Sequence, residues 1–548
     1  MRNINKAVAG NIPRRTKKSS RWKNSMSNEI SRKILWVDDE IELLKSQIIF
    51  LQQKGYLVET ATNGEDAVEM MRISPVDLVL LDEQMPGKRG IETVGELRKV
   101  DASVPIVMVT KSEEEDLMDQ AIGRRVEDYI VKPVNPNQVL MVCKRLLEGS
   151  RIRHQRTAQE FVSRFRELED KRSELFTWEE WAETYGEMID WESRLAETGE
   201  ESLAGLLQGL KRQWRSDFSN YVIGDYLNWL DKPSGERPLL SVDVVDQFLS
   251  PLLEDYESVL FIVVDCMRMD QWHQLAPLVE EFYDISQSTY FSILPTATPY
   301  ARNAIFSGLY PGQIIEMFPQ YWQVGSDDEG SLNLYEKELL TAQLDRLGIK
   351  IEGQLRYEKV FTKEEGQRLV KKIPSLLQRG LTALVVNFID ILTHGRSESE
   401  ILLEIAPNEQ AYRDLVLSWF RHSSLLGVLQ EAARQGVPVL LTSDHGSVHC
   451  TRPVTVFAKR DASTNLRYKF GDNISSEKGQ LSFLVRDARR AQLPYLGMNV
   501  HYLFAVEDTY FVYPTKLREY QSRYYGSFLH GGVSPEEMIL PVATMIPK

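Results

Sequence analysis

Short apolar runs in this chain stop, repeatedly, at a residue able to do chemistry. "VLLTSDHGSV" (Val439–Val448) ends its run at Asp444 and His445, "SVLFIVVDCMRMD" (Ser258–Asp270) at Asp265, and "KILWVDDE" (Lys33–Glu40) at Asp38 and Asp39. A continuous apolar run of this length, bounded by turn residues, reads as a parallel strand buried on both faces. Open α/β sheets place their sites at the carboxyl edge of such strands. The pattern therefore predicts an α/β protein that gathers reactive side chains at sheet edges. At 548 residues it is too long for one core.

The first set of runs lies together. After "KILWVDDE" come "VDLVLLDEQMPG", ending a strand at Asp82, "VPIVMVTK", ending one at Thr110, and "DYIVKPV", ending one at Lys132. Amphipathic helical stretches such as "GEDAVEMMRI" lie between them. Asp38, Asp39 and Asp82 crowd negative charge that a hard cation such as Mg²⁺ would offset. A carboxylate beside Mg²⁺ and a Lys can attack a phosphoryl donor and hold an aspartyl phosphate. From about Ile34 to Leu147 the chain resembles the receiver domain of two-component response regulators, which have a flavodoxin-like doubly wound sheet. The resemblance implies Asp82 as phospho-acceptor, and Mg²⁺ at Asp38, Asp39 and Asp82 with the Gln84 carbonyl. It also implies a sensor histidine kinase as partner, Thr110, Tyr129 and Lys132 as switch residues, and a homodimer on phosphorylation.

Charge and composition narrow the function classes. The net charge is −14, and the first 25 residues carry eight Lys or Arg and no acid. An acidic body argues against broad duplex-DNA binding, which draws its affinity from phosphate neutralisation. Three cysteines, Cys143, Cys266 and Cys450, without CxxC spacing fit a reducing cytoplasm. No apolar run is long enough to span a membrane, and the basic start lacks the apolar region of a secretory signal. Residues 1–29 are read as a leader outside the fold, with Met26 as the natural start. The receiver is placed at 30–150.

Residues 151–255 change character. "FVSRFRELEDKRSELFTWEEWAETYGEMIDWESRLAE" has no Pro and apolar residues at three- and four-residue spacing, which predicts amphipathic helix. Phe161, Phe165, Phe176, Trp178, Trp181, Tyr185, Trp191, Trp214 and Phe218 recur on these segments. Such rings can stack nucleic-acid bases, but a stripe of this kind is the core of a helical bundle. The region is read as a spacer between the receiver and an output domain.

From 256 to 548 the strand-and-helix alternation returns. Asp265 ends one run, and "TALVVNFIDILTHG" puts Asp390 and His394 at i, i+4 after another. Asp444 and His445 end a third, and "FLHGGVSPEEMILPV" adds His530 before a Gly pair. Three Asp and three His suit a two-metal centre holding Zn²⁺, with Mn²⁺ as the alternative. Two such ions stabilise attacking and leaving oxygens in phosphoryl transfer. "SILPTATPYARNAIFSGLYP" runs from a Pro-punctuated loop into a helix start, where backbone N–H groups attract phosphate, and offers Thr296 and Thr298 as nucleophiles.

This ordered set resembles the alkaline phosphatase superfamily of metallo-hydrolases, which includes phosphodiesterases, phosphomutases and sulfatases. Its nucleophile lies ten residues before the Gly of a "TG-Y-P"-like end, which points to Thr298 by counting back from Gly308 and leaves Thr296 as the alternative. Arg302 falls where sulfatases keep a catalytic Arg. "DILTH" departs from their D-x-x-G-H only at Thr393. The resemblance implies one metal on Asp265, Thr298, Asp444 and His445, and the other on Asp390, His394 and His530. His154, His273, His422, His449 and His501 are read as structural or surface residues.

Receiver, helical segment and phosphatase-like domain in this order resemble the response regulators with a PglZ-type effector that control type IX secretion. That implies cytoplasmic residence and contact with an extracytoplasmic-function sigma factor, while the nucleophile loop, which resembles that of the nucleotide pyrophosphatase/phosphodiesterase family, implies a phosphorylation-controlled phosphodiesterase acting on nucleotides or oligonucleotides. Two other classes remain open at this point. One is a non-catalytic regulator that recruits a sigma factor or secretion component around structural metals. The other is a DNA-binding transcription factor, disfavoured by the acidic body and by the missing helix-turn-helix signature. Within the enzyme class, a phosphomonoesterase is a further variant that the motifs leave open.

Overall fold

The computed structural model describes residues 32–101, 104–111, 126–172, 176–322, 333–459, 463, 465–477 and 481–548. The expected leader, 1–29, lies outside them. The chain divides into two compact units, Met1–Arg156 and Thr157–Lys548.

In the first unit the elements run β1 (Lys33–Val37), α1 (Lys45–Gln53), β2 (Leu57–Ala61), α2 (Gly64–Ile73), β3 (Leu78–Asp82), α3 (Gly90–Val100), β4 (Ile106–Thr110), β5 (Asp128–Val131) and α4 (Pro136–Cys143). The strands pair in parallel in the order β2-β1-β3-β4-β5, the flavodoxin-like doubly wound arrangement. Alternate residues of the central strands feed two cores, Ile34, Trp36, Leu78 and Leu80 on one face and Leu35, Val37, Val79 and Leu81 on the other. That two-sided burial is why these strands read as unbroken apolar runs. Asn63 caps α2, its side chain accepting from the Asp66 N–H at 2.9 Å.

The second unit begins within α5 (Gly149–Lys171), followed by α6 (Trp178–Thr198) and α7 (Glu201–Trp229). A capping box starts α6: the Thr177 N–H donates to Glu180 at 2.8 Å, and the Glu180 N–H donates back to Thr177 Oγ1 at 3.4 Å. On α7, Leu203, Leu207, Leu210, Trp214, Phe218, Val222, Tyr226 and Trp229 form one buried stripe. Trp214 meets Phe176 and Trp181 edge-on, each at 4.9 Å between centroids, and Phe218 lies 5.9 Å from Phe291 of the α/β sheet. The aromatic stripe is thus core. The helices do not stand apart as a bundle, because their buried side chains form one continuous core with those of the sheet.

That sheet is built from β6 (Ser258–Val264), β7 (Tyr283–Phe291), β8 (Gln354–Val360), β9 (Gly380–Val386), β10 (Val439–Thr442) and β11 (Ile539–Pro547), in the order β7-β11-β10-β6-β9-β8. β10, β6, β9 and β8 are mutually parallel, and β11 runs against β10 and β7. Three helices bear on the site: α8 (Thr298–Ser307) after β7, α9 (Glu336–Leu347), and α10 (Phe388–Glu398) after β9. The carboxyl ends of β6, β7, β9 and β10 and the amino end of β11 share one sheet edge. Among the described residues no helix is long and apolar enough to cross a membrane.

Because Phe218 is wholly buried where α7 meets the sheet, Phe218→Ala should destabilise the second unit by about 3–5 kcal/mol. Denaturant unfolding followed by tryptophan fluorescence measures this.

Candidate functional site

In the receiver, Asp38 and Asp82 are buried and Asp39 is exposed, and one carboxylate oxygen from each lies within 4.8 Å of the others. Lys132 Nζ sits 2.8 Å from both Asp38 Oδ2 and Asp82 Oδ2. Burial pushes the Asp82 carboxyl up, against the pull of Lys132. The Gln84 N–H donates to Asp82. Thr110 is buried at the end of β4 and Tyr129 is half-buried on β5. Asp38, Asp39, Asp82 and Lys132 therefore meet at the carboxyl edge of the sheet. Three acids facing one Lys leave surplus negative charge, which fits a divalent cation.

The second sheet edge gathers two further groups. Asp390 and His394 project one turn apart from α10, and His530 reaches them from the loop before β11. His394 Nε2 is 3.1 Å from His530 Nε2, and Asp390 Oδ1 is 3.4 and 3.6 Å from those two nitrogens. Three ligand atoms about 2.0–2.1 Å from one tetrahedral ion would stand about 3.3 Å apart. His530 Nδ1 and Asp390 Oδ1 are buried with no hydrogen-bond partner among the described residues. The donor set, its spacing and the orphaned Asp390 Oδ1 fit a metal.

The adjoining group is Asp265, Asp444 and His445, all buried. Asp265 follows β6, and Asp444 and His445 follow β10. His445 Nε2 is 3.6 Å from Asp265 Oδ1 and 3.9 Å from Asp444 Oδ2. The His445 and His530 rings stack at 4.3 Å between centroids, so the two groups abut. Burial, then His530, push His445 down to about 3, which keeps it neutral. Its Nδ1 lies 3.1 Å from the Gly446 carbonyl, which places the proton there and leaves the Nε2 lone pair facing Asp265. Burial pushes Asp265 up to about 7 in spite of Arg302, and a bound cation would relieve that cost.

Thr298 opens α8, with Ala297 as N-cap and Pro299 in the first turn. Its Oγ1 lies 3.0 Å from His445 Nε2 and 3.4 Å from Asp265 Oδ1. Thr296 is placed differently. It is fully buried, its hydroxyl donates to the Gly532 carbonyl at 2.8 Å, and it accepts from the Gly531 N–H at 3.1 Å. Of the two threonines, only Thr298 faces the acid and imidazole groups.

Arg302 differs from the expectation of a catalytic Arg near the nucleophile. It is wholly buried on α8 behind the Asp265 group. Its Nε donates to Asp444 Oδ2 at 2.9 Å, its guanidinium pairs with Asp265, and Nη1 lies 3.4 Å from Glu336 Oε1 on α9. Its contacts are with these carboxylates, which set it behind the Thr298 hydroxyl's neighbours. One turn along a helix that packs inward on every side, the Arg can reach only buried carboxylates.

Several partners went unread in the sequence. Asn387, just past β9, donates to Asp265 Oδ2 at 2.8 Å. Cys266 takes a positive φ of 64° and donates its N–H to Asp444 Oδ1 at 3.2 Å. Glu537 binds the Gly532 N–H at 2.9 Å and the Arg467 guanidinium. An amide at the end of an apolar run is a usable signal for Asn387. Nothing local marks the other two. Thr393, the departure from the family pattern, is accommodated: its hydroxyl donates to the Ile389 carbonyl at 2.8 Å and lies 2.6 Å from the Tyr412 hydroxyl.

The family model described as BREX system PglZ alkaline phosphatase-like domain matches residues 244–545. The chain belongs to that family. The response regulator receiver model matches 34–144, and the PorX response regulator linker model matches 151–230. These three in this order make the arrangement of a PorX-type response regulator. Among curated proteins, the chain is similar to transcriptional regulatory protein ResD of Bacillus subtilis, 38% identical over 115 residues, 21% of this chain and 48% of the relative. It is similar also to the CpxR homolog of Haemophilus influenzae, 39% identical over 120 residues, 22% of this chain and 51% of the relative. The chain spans about half the length of the curated relatives it matches. Among solved structures, Vibrio cholerae CheY4 is 30% identical, covering 21% of this chain and 99% of that one at a TM-score of 0.21.

The placement of the two threonines separates their roles. Thr296→Val leaves the Gly531 N–H unpaired and should cost about 1–3 kcal/mol. Thr298→Ala, whose hydroxyl serves no backbone group, should change stability far less. Paired denaturant melts of the two variants compare them.

Proposed function

We propose that this chain is a response regulator phosphorylated at Asp82 by a sensor histidine kinase, and that the phosphorylated state controls a two-metal phosphodiesterase centred on Thr298. The observation that carries the reading is the Thr298 hydroxyl, at the start of α8, beside His445 and Asp265 with a second metal-fitting triad against it. Asp265, Thr298, Asp444 and His445 would hold one ion, and Asp390, His394 and His530 the other. Zn²⁺ suits both sets, with Mn²⁺ as the alternative, and Mg²⁺ suits Asp38, Asp39, Asp82 and the Gln84 carbonyl. Bound at the two triads, the ions would supply Lewis-acid stabilisation of the charge on the attacking and leaving oxygens.

The rest is work for the chain's own residues. Thr298 Oγ1 attacks phosphorus, forming an Oγ1–P bond as the bond to the leaving alcohol breaks. Water then cleaves the phosphothreonine and restores the hydroxyl. The Thr298 N–H, at the start of α8, draws a phosphate oxygen to that end; Pro299 carries no N–H, and Tyr300 donates its own to the Ala297 carbonyl at 3.0 Å. Arg302 holds Asp265 and Asp444 in place from behind. Nucleotide or oligonucleotide diesters are the proposed substrates, since the nucleophile loop resembles that of the nucleotide pyrophosphatase/phosphodiesterases. The PorX-type arrangement supports a cytoplasmic role in type IX secretion, contact with an extracytoplasmic-function sigma factor, and dimerisation through the Tyr129 face on phosphorylation.

Zn²⁺-loaded parent protein should hydrolyse bis-p-nitrophenyl phosphate, lose that activity on chelation and regain it with Zn²⁺. Thr298→Ala should lower the rate by about 10³-fold or more with metal still bound. Activity that survives the substitution rules Thr298 out as nucleophile. Acetyl phosphate with Mg²⁺ should add one phosphoryl group to the parent, read by intact mass, and none to Asp82→Asn.

A further inference from the structure

Helices α6 and α7 enter the phosphatase-like part through charge as well as through apolar packing. Four cations and four carboxylates meet there: Lys211, Arg215, Arg268 and Arg413 with Glu192, Asp270, Glu409 and Glu536. Lys211 Nζ donates to Glu192 at 2.7 Å, and Arg413 lies 3.1 Å from the other Glu192 oxygen. Arg413 and Arg268 converge on Asp270 at 2.9 and 2.6 Å. Arg268 stands three residues past Asp265. The last pair is Arg215 on α7 with Glu536, where Nη2 donates to Oε1 at 2.6 Å and Nε lies 3.1 Å from the same oxygen. Arg215 is 8% exposed and Glu536 2%.

Glu536 lies where the loops of two predicted ligands cross. The Gly446 N–H, next to His445, donates to the Glu537 carbonyl at 3.1 Å. A Cβ on Gly446 would stand 1.9 Å from the Glu536 carbonyl oxygen, so only glycine permits this approach. Glu537 binds the Gly532 N–H at 2.9 Å, two residues from His530. Gly531, at φ +117°, turns the loop where a Cβ would strike Tyr468. One turn beyond Arg215, the Ser219 hydroxyl donates to the Val533 carbonyl at 3.3 Å. So α7 grips the loop after His530 at two points on one face. On the far side of that loop's Glu536–Glu537 segment lies the backbone that carries His445.

We propose that Arg215 is a positioning residue of the metal centre: through Glu536 it holds the loop 531–538 where His530 and His445 come together. The inference rests on the two-metal reading above. The region matched as a linker is then part of the site's frame. Without Arg215 four carboxylates face three cations and Glu536 loses both guanidinium N–H groups that bind it, and the loop shifts to reach solvent or a new partner. The His530 triad feels that shift directly, because His394 and Asp390 come from a separate helix and do not follow the loop.

The test is a cobalt titration of metal-free, full-length protein, followed by the d–d absorption that reports ligand geometry. The parent should take up two equivalents in the second unit, with the receiver occupied by excess Mg²⁺. Arg215→Met should bind one of them about tenfold or more weakly with altered absorption, and Arg215→Lys should recover the affinity in part. Arg215→Met that takes up both equivalents with the parent's affinity and spectrum overturns the proposal, whatever its melting temperature. If circular dichroism shows Arg215→Met unfolded, Glu536→Gln is read by the same titration with the same two outcomes. A parent that binds both ions but hydrolyses no diester defeats the phosphodiesterase reading alone. A parent that binds neither defeats both.

Discussion

A cation with no access to water has to be matched by acids, and at the second sheet edge that cation is Arg302. Its guanidinium spans Asp265 after β6, Asp444 after β10 and Glu336 on α9. Without it, two carboxylates buried beside each other would have no countercharge from the chain's own side chains on that side. With it, Asp265 turns Oδ2 toward Arg302 and Asn387 and keeps Oδ1 toward Thr298 and His445. Arg302 stands one turn along α8 from Thr298, so the same helix supplies both the hydroxyl and the charge behind its neighbours.

The apolar cores make this arrangement rigid. Every residue of β9 is buried, and β6 and β10 are buried along nearly their whole length. Their ends have no freedom to swing the acids apart. The edge therefore tolerates a concentration of like charge that a loop would relieve by moving. The receiver solves the same problem on a smaller scale, with Lys132 between Asp38 and Asp82.

Much of this was legible in the chain. Strand ends at Asp82, Thr110, Asp265 and Asp444 were visible because parallel strands buried on both faces read as apolar runs, and a reactive side chain stands out where such a run stops. The i, i+4 spacing of Asp390 and His394 marked one helix face. Residues that act from behind were not legible. Glu537 and Arg467 are separated by about seventy positions, and Arg215 and Glu536 by more than three hundred. Each carries an ordinary charged side chain in an ordinary amphipathic stretch. The helices 178–229 read as a separate spacer because periodicity reveals an apolar face but not what covers it.

The sequence by itself determined the classes of element, the order of the receiver, helical and phosphatase-like parts, and the side chains at the strand ends. Those follow from local rules: apolar periodicity, turn residues and the chemistry of each ligand type. Only the tertiary structure decided that Thr298 faces His445 while Thr296 is spent on the Gly531–Gly532 backbone, and that Arg302 lies beneath the acids. It also decided that α6 and α7 share a core with the sheet. Each of those outcomes depends on which segments, far apart in the chain, come to lie against one another, and burial and charge pairing act only once they do.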